Sequence, residues 1–210
     1  MLFLIGFIAS ILVGCGTEPK ATTTQIKWGH LDYAPNALLL QIPPDGAVGV
    51  CGPFADEVSE AIRVCGGVIN RADRINIRGD CQHAKYIKTE AWTQAAICKV
   101  FNLPANCNIV GFAGGNQLVL RQDFPRNNNL VLHEVGHFWG MCDQYRGNTR
   151  DGWIASCSKE HRSNKRHAES IMGAATTGRT KLTDDDIAGI KAMAVRTDIP
   201  ANRLWQAAQN

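Results

Sequence analysis

The chain has 210 residues, of which 45% are hydrophobic and 20% are charged. This length allows the core of one ordinary domain, and this composition excludes an intrinsically disordered chain. The formal net charge of +3 is too small to indicate nucleic-acid binding, and the one basic cluster, at 159–167, is typical of a solvated loop.

The first 14 residues are uncharged and mostly apolar. They fall short of the roughly 20 residues of a membrane-spanning helix and predict a signal peptide. The letters LVGC at 12–15 resemble the lipobox of bacterial lipoproteins, although the usual basic residue near the start is missing. The resemblance implies cleavage before Cys15, a lipid anchor on Cys15 and an extracytoplasmic, membrane-anchored protein. An ordinary cleaved signal or a buried N-terminal segment is the alternative.

Residues 15–25 are polar and threonine-rich, which indicates a flexible tether. We expect one globular domain over 26–210. Hydrophobic periodicity predicts its elements in chain order: strands over 26–33 and 37–43, a helix over 53–72, a strand over 74–79 and a helix over 89–101. Two strands joined by glycines follow, over 108–115 and 117–124.

A helix is then predicted over 126–140, with Asn129 as its cap. Residues 141–182 are predicted to be irregular. A last helix over 182–195 begins with a capping-box pattern between Thr183 and Asp186. Together these elements predict an α+β fold.

The cysteines indicate disulfide bonds in an oxidising compartment. Apart from Cys15, they are scattered singly at positions 51, 65, 81, 98, 107, 142 and 157. Seven is an odd number, so at least one thiol has no partner within the chain. The connectivity is open, and the one pair we predict is Cys142 with Cys157.

The letters HEVGH at 133–137 place two histidines four residues apart on a predicted helix. Residues at this spacing share a face, so His133 and His137 can bind one metal ion. Glu134 points away from the face shared by the two histidines, and its carboxylate can act as general base on a water that the metal activates. Catalytic zinc sites have three protein ligands and one open position.

A third ligand must therefore come from outside the helix. Gly140 can adopt a positive φ, end the helix and return the chain, which makes Asp143 the predicted ligand. The alternative third ligands are His161 and His167. A glutamate ligand on a second helix, Glu160 or Glu169, is a further alternative.

The letters HEVGHFWGMCD at 133–143 resemble the elongated zinc motif of metzincin metalloproteases, in the aspartate form of snapalysin-type proteases. Metzincins place a methionine-containing turn, the Met-turn, beneath the metal. ESIMGA at 169–174 is similar to that turn, with Met172 in the methionine position. A C-terminal helix follows the turn in that family, and 182–195 fits its place. The resemblance is specific over 130–195 and extends over 26–125 only by the order of elements.

The resemblance implies a metzincin-like zincin domain over 26–210, with a mixed twisted sheet and zinc metalloendopeptidase activity. One zinc ion would be bound by His133, His137 and Asp143, with Glu134 as general base. A protein or peptide substrate would lie along an edge strand, at 108–115 or 117–124. The tyrosine that some metzincins carry after the Met-turn is missing, and Tyr145 is the candidate substitute.

Two other functions remain open. One is a non-catalytic, surface-anchored binding protein that retains the fold. The other is a structural zinc site closed by a fourth ligand such as His161. Glu134 favours the enzyme, because neither alternative needs that carboxylate.

The anionic ligand leads to a prediction about pH. A carboxylate at Asp143 lowers the net charge of the site by one relative to histidine, which makes zinc a weaker Lewis acid and raises the pKa of its water. We expect the wild-type protein to have a more alkaline activity optimum than Asp143→His. A pH–rate profile of both proteins checks this, and an unchanged acidic limb would contradict it.

Overall fold

A computed structural model describes residues 37–123, 128–141, 143, 170–173 and 181–209. They form an α+β fold with a mixed five-stranded sheet and five α-helices. Several predictions lie outside the described residues: the signal peptide, the tether with Cys15, the strand over 26–33, the Cys142–Cys157 pair, Tyr145 and the alternative ligands at 160, 161, 167 and 169.

The sheet has the strand order β2-β1-β3-β5-β4. The strands are β1 (Ala47–Cys51), β2 (Asn76–Arg78), β3 (Tyr86–Trp92), β4 (Gly111–Gly114) and β5 (Gln117–Arg121). β1 pairs in parallel with β2 and β3, and β3 pairs in parallel with β5. Among these described strands, β4 alone runs antiparallel, with Phe112 opposite Val119. The predicted strands over 74–79, 108–115 and 117–124 are confirmed, whereas β1 was missed.

The helices are α1 (Ala55–Gly67), α2 (Gln94–Val100), α3 (Asn128–Phe138), α4 (Asp184–Ala194) and α5 (Pro200–Ala207). Helix α3 packs against α1 and β4, which places it beside the antiparallel edge of the sheet. At the start of α4, the Thr183 side chain accepts from the Asp186 backbone N–H and the Asp186 side chain accepts from the Thr183 N–H, as the capping-box pattern predicted.

The predicted strand over 37–43 is wrong. The chain forms a short 3₁₀ helix at Leu39–Gln41, and Leu38, Leu39, Leu40 and Ile42 are all buried. A continuous apolar run has no periodicity that separates a strand from a buried helical turn. Helix α5 packs against this segment, and Trp205 Nε1 donates a hydrogen bond to Ile42 O at 2.7 Å.

The predicted helix over 89–101 is correct only in its second half. Residues up to Trp92 belong to β3, and α2 begins after Thr93, whose side chain accepts from Ala96 N. Thr89 pairs with Leu118 in the neighbouring strand. This pairing is long-range, so it overrides a local helical pattern without leaving a signal in the segment itself.

Two further helix predictions need correction. Asn129 lies inside α3, which begins at Asn128, so Asn129 is not the cap. The sequence has three consecutive asparagines at 127–129, and its pattern alone does not show which of them precedes the helix. The helix over 182–195 is followed by α5, which has Pro200 at its first turn. A proline there is a known start signal, and the sequence reading overlooked it.

A buried polar cluster connects α5 to the segment that follows α1. Arg71 donates to Asn202 Oδ1 at 2.8 Å and to Ala194 O, and its guanidinium lies 4.8 Å from the ring centroid of Trp205. Asn202 in turn donates to Met193 O and Arg196 O. Burial lowers the pKa of Arg71 to about 10. The two hydrogen-bond acceptors and the face of the Trp205 ring stabilise its buried charge.

Two disulfide bonds link Cys51 to Cys81 and Cys98 to Cys107. Cys65 is buried as a free thiol, which agrees with the expected unpaired cysteine. No helix among the described residues is both long and apolar enough to cross a bilayer.

The Arg71 cluster gives a stability prediction. Asn202→Ala leaves a buried guanidinium short of an acceptor and two backbone carbonyls short of a donor, so we expect the free energy of unfolding to fall by about 2–4 kcal/mol. Gln206→Ala, on the exposed face of the same helix, should cost less than about 0.5 kcal/mol. Urea unfolding of the oxidised proteins measures both values, and equal midpoints would contradict the prediction.

Candidate metal site

Helix α3 carries the two histidines on one face. His133 and His137 are both buried, with ring centroids 5.2 Å apart and nearly perpendicular planes. The helix can sit close to its neighbours because Gly136 has no side chain. A Cβ there would lie 2.6 Å from Met172 Sδ and 2.8 Å from Met141 Cε.

The chain turns back at Gly140, which adopts a φ of +86°. The Met141 N–H donates to Gly136 O at 3.0 Å and the Gly140 N–H donates to His137 O at 2.9 Å, so the last carbonyls of the helix are satisfied. The turn brings Asp143 back to the histidines, as the sequence predicted.

The Asp143 carboxylate meets both imidazoles. Its Oδ1 lies 3.0 Å from His133 Nε2 and 3.4 Å from His137 Nε2. Ligand atoms of a tetrahedral zinc site lie about 3.3 Å apart, because each bond is about 2 Å long. The three side chains thus form a group whose dimensions suit a divalent metal ion.

Backbone carbonyls hold both imidazole rings from behind. His133 Nδ1 lies 2.8 Å from Ile171 O and His137 Nδ1 lies 2.9 Å from Met141 O. A carbonyl can only accept, so each Nδ1 carries a proton, and in the neutral ring each Nε2 presents a lone pair towards Asp143. A lone pair facing a carboxylate is repulsive unless a proton or a metal cation lies between them. The donor set therefore fits a cation.

The pKa values follow from the same arrangement. Burial lowers the pKa of His133, but contact with the Asp143 carboxylate outweighs burial and raises the pKa to about 9. Burial lowers the pKa of His137 too, but the charge and hydrogen bond of Asp143, together with the charge of Glu134, outweigh burial and raise it. Burial raises the pKa of Asp143, yet the two imidazoles hold it far below its usual value.

Glu134 is buried beside this group but is not a member of it. Its Oε1 would lie 3.1 Å from a Cβ at Gly111 of β4, so a side chain at this position would crowd the carboxylate. Within the described part of the chain, Oε2 has no hydrogen-bond partner. Burial raises the pKa of Glu134, against the lowering effect of the two imidazoles.

The structure places Met172 in a turn at 170–173, buried against α3. Sequence reasoning did not identify the carbonyls of Ile171 and Met141, because a backbone group leaves no mark in the sequence. It also treated Asp186 only as a helix cap. The structure gives Asp186 a second set of partners, Ser170 Oγ and Ile171 N.

No family model matches the chain, and no curated protein is significantly similar to it in sequence. The resemblance to metzincins is therefore carried by motif residues alone.

The raised pKa of His133 predicts how the metal-free protein responds to pH. Stabilisation by the protonated ring is complete below 6.5 and is lost as pH rises through about 9. We expect chelator-treated protein to lose on the order of 3 kcal/mol of unfolding free energy across that window. Saturating zinc takes the place of the protons and should stabilise most at the alkaline end.

Asp143→Asn is the control, because it removes the charge that raises this pKa and should flatten the pH dependence. Urea titrations of both proteins at several pH values decide the question. The explanation fails if the wild-type curve is as flat as that of the variant.

Proposed function

We propose that this chain is a zinc-dependent metalloendopeptidase with a metzincin-like fold. His133, His137 and Asp143 would hold one zinc ion, and Glu134 would act as general base. The proposal rests on one observation. The ligand atoms of His133, His137 and Asp143 come together in the protein interior, beside Glu134 Oε2, which has no hydrogen-bond partner among the described residues.

The ligand set supports a catalytic site. Among the described residues, three ligands of nitrogen and oxygen type come together. Three such ligands are characteristic of catalytic zinc, whereas structural sites are closed by a fourth protein ligand. When bound, zinc supplies Lewis acidity, which lowers the pKa of a water and polarises a peptide carbonyl. The chain's own residues orient the ligands and handle the proton.

Glu134 is suited to moving that proton. It follows His133 directly, so its side chain leaves the helix in a different direction from the ligands. Burial raises its pKa, and a general base works best when its pKa approaches the working pH. The unpartnered Oε2 would accept a proton from the attacking water and later return it to the leaving amine.

The position of β4 at the edge of the sheet supports the proposal that the substrate is a peptide. β4 pairs with β5 on one side, and no described strand covers its other side. An extended peptide added to that edge would lie beside Glu134, because Gly111 brings the strand close to the carboxylate. Gly114 and Gly115 have open space around them, which leaves room for a second backbone.

Met172 would support the zinc helix from below, as the methionine of a Met-turn. Its sulfur packs at Gly136, the residue before His137 on α3. A bacterial extracytoplasmic location with a lipid anchor at Cys15 belongs to the same proposal. The two disulfides favour an oxidising compartment.

Hydrolysis of a peptide library by zinc-loaded protein tests the activity. Glu134→Gln keeps the shape of the side chain and the three ligands but removes the base, so we expect cleavage to fall about 10²- to 10⁴-fold with zinc binding retained. Glu57→Gln, an exposed carboxylate on α1, is the matched control and should cleave like wild type.

Two results would remove the enzyme. Equal cleavage by wild type and Glu134→Gln would mean that the hydrolysis is foreign to this site. Zinc binding without cleavage by either protein would favour the non-catalytic binding protein.

A further inference from the structure

We propose that Ser170 and Asp186 are positioning residues for His133, acting through a hydrogen-bond relay that crosses the turn at 170–173. The inference rests on the proposed metal site and adds a carboxylate that supports one of its ligands from a distance. Asp186 contacts neither the ligand atoms nor the space between them, so it is not a catalytic residue.

The relay runs through one peptide group. Ser170 Oγ donates to Asp186 Oδ1 and accepts from the Met172 N–H at 3.0 Å. That N–H belongs to the same peptide group as the Ile171 carbonyl. The Ile171 carbonyl accepts from His133 Nδ1 at 2.8 Å. Asp186 is thereby connected to the imidazole by three hydrogen bonds and the peptide group between Ile171 and Met172.

Asp186 also anchors the turn to the start of α4. Its Oδ2 accepts from Ile171 N at 3.1 Å, from Thr183 N at 2.8 Å and from Thr183 Oγ1 at 2.8 Å. Asp186 and Ser170 are both buried, so solvent does not compete for these bonds. A helix cap needs only the bonds with Thr183. The bonds with Ser170 and Ile171 point to a second role.

The relay has a physical effect on His133. A buried carboxylate that accepts from Ser170 makes the hydroxyl oxygen a stronger acceptor. That oxygen polarises the peptide group formed by the Ile171 carbonyl and the Met172 N–H, so the carbonyl oxygen becomes more negative. A more negative Ile171 oxygen holds the Nδ1 proton more firmly and raises the electron density at Nε2. Outer partners of this kind change metal affinity about 10- to 100-fold in other proteins.

His137 provides an internal reference. Its Nδ1 bonds to Met141 O, which lies in the turn after α3 and not in the turn at 170–173. A change in the relay should therefore alter His133 and leave His137 as it was. General loosening of the site would alter both rings.

The experiment compares Ser170→Ala with Thr183→Ala in the full chain. Each variant removes one hydroxyl that donates to Asp186, but only Ser170 also accepts from the Met172 N–H. Imidazole N–H resonances are recorded by NMR for the metal-free and zinc-loaded proteins. Zinc dissociation constants are measured by competition with a chelator.

For Ser170→Ala we expect an upfield shift of the His133 Nδ1–H signal, no shift for His137 and zinc affinity about tenfold weaker. For Thr183→Ala we expect a lower unfolding midpoint, with both signals and the zinc affinity unchanged. A second comparison needs no variant. In the wild-type protein, the His133 Nδ1–H signal should lie downfield of the His137 Nδ1–H signal.

The relay is overturned if Ser170→Ala leaves the His133 signal unchanged, if both variants shift it equally, or if the wild-type order of the two signals is reversed. Failure of the proposed metal site looks different. Wild type would then bind no zinc, while the metal-free His133 signal would still decide whether the relay exists.

Discussion

Two buried imidazoles that face one carboxylate set the constraint on which the rest of the structure depends. Each ring donates a hydrogen bond from Nδ1 to a backbone carbonyl, so each Nε2 faces Asp143, with a lone pair when the ring is neutral. Such a cluster is costly to bury unless its charges are compensated. A divalent cation compensates them directly, whereas in its absence protons must, which is why the pKa of His133 is raised.

The fold meets this constraint by packing three segments tightly around α3. Gly111 lets the edge strand β4 approach Glu134, Gly136 lets Met172 pack closely against α3, and Gly140 turns the chain back towards the two histidines. At each position a Cβ would press on a neighbour. The site is therefore a property of close backbone approach as much as of the ligands, and it couples the sheet edge to the turn at 170–173.

Sequence patterns predicted much of the fold where the determining contacts are local. The helix over 53–72, the hairpin strands at 108–115 and 117–124 and the cap at Thr183 depend on neighbours a few residues away, and all are confirmed in kind. The segments at 37–43 and 89–101 were misassigned. Their conformations depend on α5 and on the pairing of β3 with β5, which no local window contains.

The sequence by itself determined which side chains of α3 share a face, because a spacing of four residues aligns His133 and His137 on any helix. It also determined the helix-ending turn, because Gly140 tolerates the positive φ that the turn requires. Only the tertiary structure decided which carbonyl holds His133, 38 residues away along the chain, and that Ser170 joins it to Asp186. Those contacts are made by packing between distant segments, and packing has no fixed spacing in the sequence.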